Sequence, residues 1–277
     1  MTGEMVQRDG RLRFVALPDS GVSRWGPPKS FGFLRQVPWL PIADTELLHL
    51  SHFCPIGIVL GETGPSVVAL MHAFWHPKSS LDAKGRWAAP YMPMALRGLP
   101  FRLDTAADTV EIAPELIASD EAAFALYDER GAPGPELAQA LELLARVRRG
   151  ASRLAEAAKA LLLADVLVPL QPLHEGGHDD VWVVSREAVL NLPPRKAAAL
   201  TVLSNLGFEL AGAALFSQRW LDRTRIESGT ARDRSDDVSL MPIAPHIEDT
   251  VERLMVMDES ELFSFEAFLA AETSTDG

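Results

Sequence analysis

The chain of 277 residues is long enough for one large domain or for a domain with an extension, and its 47% apolar content can supply a sizeable core. The single cysteine, Cys54, excludes an intramolecular disulfide and is compatible with a reducing compartment. The N-terminus lacks a basic segment followed by an apolar run, and no apolar run reaches about 18 residues. We therefore expect a cytoplasmic protein with neither a signal peptide nor a membrane span.

The net charge of −12 is concentrated at the C-terminal end of the chain. Residues 226–277 contain thirteen acidic residues and three arginines, a net charge of −10, so residues 1–225 carry the remaining −2. Nucleic-acid-binding domains are normally basic. The nearly neutral body of the chain therefore argues against nucleic acid as a partner.

The first part of the chain predicts short, mostly extended elements. A strand is expected at residues 13–17, and an extended segment is expected through the apolar residues of 31–37. Asp44 precedes several leucines and is expected to cap the N-terminus of a short helix.

Two β-hairpins are predicted next. The apolar runs 55–60 and 67–74 flank the loop 61–64, which has a glycine at each end, so we expect a largely buried hairpin there. The segments 101–103 and 109–112 predict a second hairpin around a polar loop. Between the two hairpins, the order of residues from Asp82 to Gly85 is typical of a type I turn.

The longest predicted element is a helix that extends from Gly134-Pro135 to about Ala164. Proline is tolerated at the first helical position, and leucines and alanines follow at helical spacing. Gly150 lies in the middle of this pattern and is expected to weaken the helix by about 1 kcal/mol relative to alanine.

The remaining elements are another hairpin and two helices. Residues 166–173 and 181–184 predict the hairpin. Helices are expected at 194–206, ended by Gly207, and from 210 to about 225. Antiparallel hairpins or a mixed sheet come first, and a long helix, a hairpin and C-terminal helices follow. This order predicts an α+β fold rather than an alternating α/β fold.

The sequence also predicts a division of the chain into segments. We expect a globular domain at 1–225, a polar linker at 226–246, an acidic amphipathic helical tail at 247–272 and disorder at 273–277. The apolar side of the tail must be buried, either on its own domain or in the groove of a partner. The residues expected to bind a partner are Leu262, Phe265 and Phe268.

One motif resembles a zinc site. His174-Glu175-Gly176-Gly177-His178 matches H-E-x-x-H, which binds zinc when a helix places both imidazoles on one face. The two central glycines disfavour a helix, and strand-like segments flank the motif. We expect an exposed hairpin loop here and no metal site in the protein.

Two further groups of residues suggest chemistry. Cys54 lies near His49 and His52, but a catalytic thiol needs an environment that lowers its pKa, and a lone cysteine before an apolar strand is typical of a small buried residue. His72 and His76 are four residues apart in a strand-like stretch, and a structural role is expected for both.

The Pro-rich central stretch at 85–103 carries the most specific pattern. It and its flanks contain an ordered series of motifs: Gly85-Arg86-Trp87, Tyr91-x-Pro93, Arg97-x-x-Pro100-Phe101, Cys54-Pro55-Ile56, and Tyr127-Asp128-x-x-Gly131-x-Pro133, with Pro41 and Glu46 upstream. This series resembles the SapC-like protein family over about residues 12–225. The acidic tail lies outside the resemblance.

The resemblance implies an accessory or binding protein without a redox cofactor of its own. The family takes its name from an S-layer gene cluster, and its biochemical activity is not established. Its members tend to be encoded beside TonB-dependent receptors, flavin-dependent tryptophan-halogenase-like proteins and cupin-like proteins. A halogenase-like or cupin-like protein is therefore an expected partner, and a small-molecule or peptide ligand remains an alternative.

Two other functions stay open at this point. One is an enzyme of unrecognised type, and the other is a structural component associated with an S-layer. The candidate ligand or partner site is the same for an enzyme and for a binding protein, namely Glu46, Trp87, Tyr91 and Arg97. Arg97 has a structural alternative, because arginine in a Pro-rich loop often donates to backbone carbonyls.

Overall fold

The computed structural model describes residues 12–61, 63–104, 109–117, 123–171, 181–201, 204–222, 224 and 226. The strands within these residues are β1 (Val15–Ala16), β2 (Arg24–Trp25), β3 (Trp39–Pro41), β4 (Ile56–Gly61), β5 (Gly64–Leu70), β6 (Phe101–Asp104), β7 (Thr109–Ile112), β8 (Phe124–Ala125), β9 (Leu167–Pro169) and β10 (Val181–Val184). The α-helices are α1 (Leu47–Ser51), α2 (Met94–Arg97), α3 (Pro135–Leu163), α4 (Arg186–Leu190), α5 (Pro194–Ala199) and α6 (Leu206–Ser217).

The strands form three sheets, and every described pairing of strands is antiparallel. The largest sheet has the order β3-β5-β4-β10-β9, the second has the order β1-β7-β6, and β2 pairs with β8. All three predicted hairpins are present as β4–β5, β6–β7 and β9–β10. The α+β class is therefore confirmed.

Two of the predicted turns contain a glycine with a positive φ angle. Gly61 pairs with Gly64, which has φ of +113°, so the first hairpin closes more tightly than the sequence indicated. The amide of Gly85 donates to the carbonyl of Asp82 at 3.0 Å, and Gly85 has φ of +76°. The predicted turn at Asp82–Gly85 is thus confirmed.

Helix α3 is the element on which two of the sheets pack. Its N-terminal half, including Leu137, lies in one core cluster with Phe101 and Ile112 of the three-stranded sheet. Its C-terminal half, including Leu154 and Leu161, packs with α1, α6 and one face of the five-stranded sheet. One long amphipathic helix therefore joins the two apolar cores.

The five-stranded sheet is covered on both faces. The face turned away from α3 carries Val68, Leu70, Val181 and Val183, and these side chains pack against the buried Trp75. Because residues alternate between faces along a strand, residues 67–70 of β5 and all of β10 are apolar. Because both faces are buried, the apolar pattern of the sequence predicts a buried hairpin. It does not show which of its residues face α3 and which face Trp75.

Two predicted elements near the N-terminus are wrong. Residues 32–35 form a 3-10 turn instead of an extended segment, because Phe31, Leu34 and Val37 are the buried residues and their spacing of three suits a turn. Asp44 is not the N-cap of α1, since a 3-10 turn at Asp44–Glu46 comes first and the Asp44 carboxylate pairs with Arg153 at 2.5 Å.

The predicted boundary between the two C-terminal helices is also wrong. Helix α5 ends at Ala199, and Gly207 does not end a helix but lies in the first turn of α6. A Cβ atom at Gly207 would lie 2.7 Å from the carbonyl oxygen of Leu200. Only glycine allows this close approach. In the sequence alone, such a packing glycine looks the same as a glycine that ends a helix.

Several predictions fall on residues that the structure does not describe. These are the zinc-like motif at 174–178, the linker except for Ile226, the acidic tail at 247–272 and the last residues, 273–277. In the described part of the chain, no helix is long and apolar enough to cross a membrane.

The close contact at Gly150 leads to the first prediction. A Cβ atom there would lie 2.6 Å from Oδ1 and 2.8 Å from the amide nitrogen of Asp44. We therefore expect Gly150→Ala to destabilise the fold by about 1–3 kcal/mol, although alanine normally favours a helix. Denaturant unfolding would measure the change.

Gly212 provides the matched control because it is also helical and has no atom within 4 Å of its ideal Cβ position. Gly212→Ala should raise the free energy of unfolding by up to about 1 kcal/mol. A stabilising Gly150→Ala substitution would show that α3 and the turn at Asp44 are not packed as described.

Candidate functional site

The candidate site is organised on the carboxylate of Glu46, a fully buried acidic side chain. Its Oε1 accepts a hydrogen bond from the amide of Ala43 at 3.0 Å, in the manner of one half of a capping box. Its Oε2 accepts from the amide of Met94 at 2.8 Å and from the hydroxyl of Tyr91 at 3.1 Å. Three donors therefore compensate for the burial of the charge.

The central stretch supplies the other members of the site. The indole Nε1 of Trp87 donates to the carbonyl of Tyr91 at 3.1 Å. The guanidinium of Arg97 donates to the hydroxyl of Tyr91 at 3.2 Å and lies 5.5 Å from the centroid of its ring. The structure thus brings Glu46, Trp87, Tyr91 and Arg97 into one hydrogen-bonded cluster.

The polar groups of this cluster bond to one another, which suits a role in holding the central stretch in place. Tyr91 donates its hydroxyl proton to Glu46 and accepts from Arg97, so both functions of the hydroxyl are used inside the protein. Burial, followed by the nearby carboxylate of Glu46, raises the pKa of Tyr91. A phenol with a raised pKa keeps its proton at neutral pH, which disfavours a role as a general base.

The contacts of Arg97 differ from the structural alternative suggested by the sequence. Its described hydrogen bond goes to the hydroxyl of Tyr91 and not to a backbone carbonyl. The side chain is exposed apart from this contact and the face of the tyrosine ring. Arg97 therefore places a positive charge at the surface beside the buried carboxylate.

The aromatic contacts continue from this cluster around α1. The ring of His49 lies edge-on to Tyr91, with centroids 5.4 Å apart, and the ring of His52 lies edge-on to Phe216 of α6 at 4.9 Å. His49 and His52 are three residues apart and so are neighbours on the helix surface. The site predicted from the sequence is therefore linked through α1 to α6.

Cations accompany the rings at the end of α6. The guanidinium carbon of Arg219 lies 3.7 Å from the centroid of Phe216 and 5.0 Å from that of Trp220. The ammonium of Lys78 lies 5.0 Å from the same ring of Trp220. Lys78 and Arg219 are both exposed, so this end of the helix is aromatic and positively charged.

Helices α1 and α6 also leave large apolar side chains in solvent. Leu48 is 59% exposed, Phe208 is 41% exposed and Phe216 is 42% exposed. Phe208, Gly212 and Phe216 are four residues apart and lie on one face of α6, where no atom approaches the ideal Cβ position of Gly212. We call Leu48, His52, Phe208, Gly212 and Phe216 the α1–α6 surface.

The sequence contains a signal for this surface that the predicted site residues do not include. The segment from Leu206 to Ser217 is apolar on almost every side, and such a helix is normally buried all around. Only the face with Leu210, Ala211 and Ala214 packs in the core. The excess apolar residues on the opposite side could have indicated a surface for binding.

Cys54 is a buried structural residue in the described structure. Its thiol donates to the carbonyl of Leu50 at 3.4 Å, and burial, together with the charge of Glu46, raises its pKa to about 12. The rings of His49 and His52 contact Tyr91 and Phe216, as described above. The environment is the reverse of one that activates a nucleophilic thiol.

The other histidine pair is also used within the fold. His76 is buried, with its Nδ1 3.3 Å from the carbonyl oxygen of Trp220, and burial lowers its pKa. The Nδ1 of His72 accepts from the amide of Phe74 at 3.2 Å. Among the described residues, no group of three or more His, Cys, Asp or Glu side chains could hold a metal ion.

Ser217 fixes the position of α6 against the largest sheet. Its hydroxyl is fully buried, donates to the carbonyl of Ala214 at 2.7 Å and accepts from the amide of Ile56 at 2.9 Å. The serine therefore satisfies a strand amide from within a helix. It supports the α1–α6 surface from below.

The fold and the site together define an α+β domain in which a Pro-rich central stretch is tied to a buried glutamate. The family model described as SapC matches residues 21–223, so the chain belongs to the SapC family. No match was found among curated proteins or among solved structures. The family match ends at residue 223, before the acidic tail.

The cluster around Glu46 leads to the second prediction. In Glu46→Gln, one of the two carboxylate oxygens becomes an amide NH2 group that faces a donor, so at least one buried hydrogen bond is lost. We expect a loss of about 1–3 kcal/mol in the free energy of unfolding, measured with denaturant.

Glu142→Gln is the matched control, because Glu142 is an exposed residue of α3 that pairs with Arg146. Its effect should stay below about 1 kcal/mol. Equal and small effects of the two substitutions would argue against the described burial of Glu46.

The third prediction concerns the thiol. Because the pKa of Cys54 is raised from 9.0 to about 12, the thiol is protonated at pH 8, and it is also buried. A thiol-reactive reagent at pH 8 should label the native protein far more slowly than the same protein unfolded in guanidinium. Labelling of native Cys54 at the rate of the unfolded chain would contradict this environment.

Proposed function

We propose that this SapC-family protein is an accessory protein that binds a protein partner through the α1–α6 surface. The observation that carries the proposal is the exposure of Leu48, Phe208 and Phe216 on two helices that contact each other. Exposed clusters of large apolar side chains in single domains are typical of interaction sites. Each of these residues would bury apolar area against a partner, and aromatic residues are common in binding hot spots.

The geometry of the predicted site favours binding over catalysis. Both oxygens of Glu46 are engaged by donors of the protein itself, and Tyr91 keeps a raised pKa between Glu46 and Arg97. Cys54 is buried and protonated. The groups that suggested an enzyme therefore support the fold beneath the surface.

The charges indicate the chemistry of the partner. Arg219 and Lys78 are exposed and lie over the rings of Phe216 and Trp220 at the end of α6. Arg97 is exposed and lies over Tyr91, whose ring contacts His49 of α1. A partner segment with apolar anchors and acidic flanks would satisfy both features. We expect an amphipathic helix of this kind, which is a common ligand of apolar surfaces between helices.

The first partners to test are those that the family resemblance implies. They are the flavin-dependent halogenase-like protein and the cupin-like protein encoded near members of this family. In this role the protein would act in the cytoplasm and would need no cofactor of its own. The α1–α6 surface would serve either partner.

The fourth prediction tests the surface directly. In the full chain, Phe208→Ser combined with Phe216→Ser should weaken binding of the purified partner at least about tenfold, because two exposed aromatic anchors are removed. Isothermal titration with each candidate partner would measure the change. The variant should keep the circular dichroism spectrum of the wild type, since both side chains lie outside the core clusters.

Leu190→Ser is the matched control, because Leu190 is 73% exposed but belongs to α4 and not to the α1–α6 surface. It should bind the partner as the wild type does. Equal binding by the Phe208/Phe216 variant would exclude this surface. Failure of both purified candidates to bind the wild type would refute the partners named here.

A further inference from the structure

We infer that the acidic segment 247–272 of the same chain occupies the α1–α6 surface and competes there with the partner. The inference rests on the proposed function, because it assigns a second, intramolecular ligand to the same site. In this arrangement the tail covers the surface until a partner displaces it. Four features of the chain support this assignment.

The first feature is the point where the described chain ends. Helix α6 ends at Ser217 and is followed by a 3-10 turn at Gln218–Trp220. Ile226 then forms a bridge with Leu170, next to the edge strand β9. The chain beyond Ile226 therefore starts only nine residues after the helix that carries Phe208 and Phe216.

The second feature is length. Residues 227–246 separate this point from the acidic segment, and twenty residues can span at most about 66–72 Å. Helix α6 has twelve residues and is about 18 Å long. The connection is long enough for the segment to reach any part of the surface, and the covalent link gives it a high effective concentration.

The third feature is the apolar pattern of the segment. Its large apolar residues follow near-helical spacing and would form one side of an amphipathic helix, namely Val251, Leu254, Met255, Leu262, Phe265, Phe268 and Leu269. Such a side must be buried. In the described domain, Leu48, Phe208 and Phe216 are exposed apolar side chains on two contacting helices and offer matching area.

The fourth feature is charge. Acidic residues flank the apolar positions of the segment, namely Glu252, Asp258, Glu259, Glu261 and Glu266. The exposed cations Arg219 and Lys78 lie over the rings of Phe216 and Trp220 at the C-terminal end of this surface, and the same face of α6 also carries the exposed Glu209. Opposite charges would orient the segment, and added salt would weaken the attachment.

The test uses a fluorescent synthetic peptide of residues 247–272 and the full chain. The wild-type protein should bind the peptide weakly, because its own tail occupies the surface. The triple variant Leu262→Ser/Phe265→Ser/Phe268→Ser should bind it at least about tenfold more tightly, since its own tail no longer competes. Adding Phe208→Ser and Phe216→Ser to the triple variant should abolish this gain.

Ser260→Ala/Ser264→Ala is the matched control within the tail, because it leaves the apolar positions intact. It should bind the peptide as weakly as the wild type does. Equal peptide affinity of the wild type and the triple variant would overturn the inference. Absence of peptide binding to either protein would overturn it as well.

A second measurement needs no substitution. Zero-length carbodiimide coupling joins an ammonium to a carboxylate in direct contact, so the wild-type monomer should yield a product between Lys78 and an acidic residue of the tail. The absence of such a product would count against the inference. Products found only in a dimer would instead assign the surface to the tail of a second copy.

The outcomes separate this inference from the proposed function. If the partner binds the wild type and the triple variant equally, the tail does not compete, and the proposed function stands alone. If the peptide behaves as expected but neither candidate partner binds, the tail still covers the surface and the proposed partner is wrong. Tighter partner binding by the triple variant would support both.

Discussion

The interaction on which much of this structure depends is the set of three hydrogen bonds to the buried carboxylate of Glu46. A charge that is fully removed from water is tolerated only when donors replace its hydration. Those donors come from Ala43 in the preceding turn and from Tyr91 and Met94 in the central stretch. The Pro-rich segment, which contains little regular structure, is thereby fixed to the start of α1.

The same turn is held from the other side by α3. Asp44 pairs with Arg153, and Gly150 leaves room for the methyl group of Ala43 and the amide of Asp44 to pack against the helix. A glycine that costs helix stability by its propensity thus permits a contact between elements far apart in sequence. Helix α3, the turn and the central stretch form one connected support for the α1–α6 surface.

Local patterns were sufficient to predict the three hairpins and the long helix, because glycine turns, apolar runs and the 3.6-residue period are all encoded within short windows. They failed at Phe31–Val37 and at Gly207, where tertiary contacts decide the backbone conformation. The four residues of the candidate site were found through the family motifs. Their roles depend on hydrogen bonds between residues far apart in the sequence, and no local pattern contains these bonds. The exposure of Phe208 and Phe216 follows only from the packing of α6, which shows the face of the helix that is turned to solvent.

The bonds at the C-terminal end of α6 have a mechanical consequence. Ser217 accepts from the amide of Ile56, the amide side chain of Gln218 donates to the carbonyl of Val184, and the indole of Trp220 donates to the carbonyl of Ser51. Sliding or tilting this helix would break bonds to two strands and to α1 at once. Helix α6 is therefore held rigidly. A ligand that binds to it loses little affinity, because the backbone of the helix does not have to become ordered on binding.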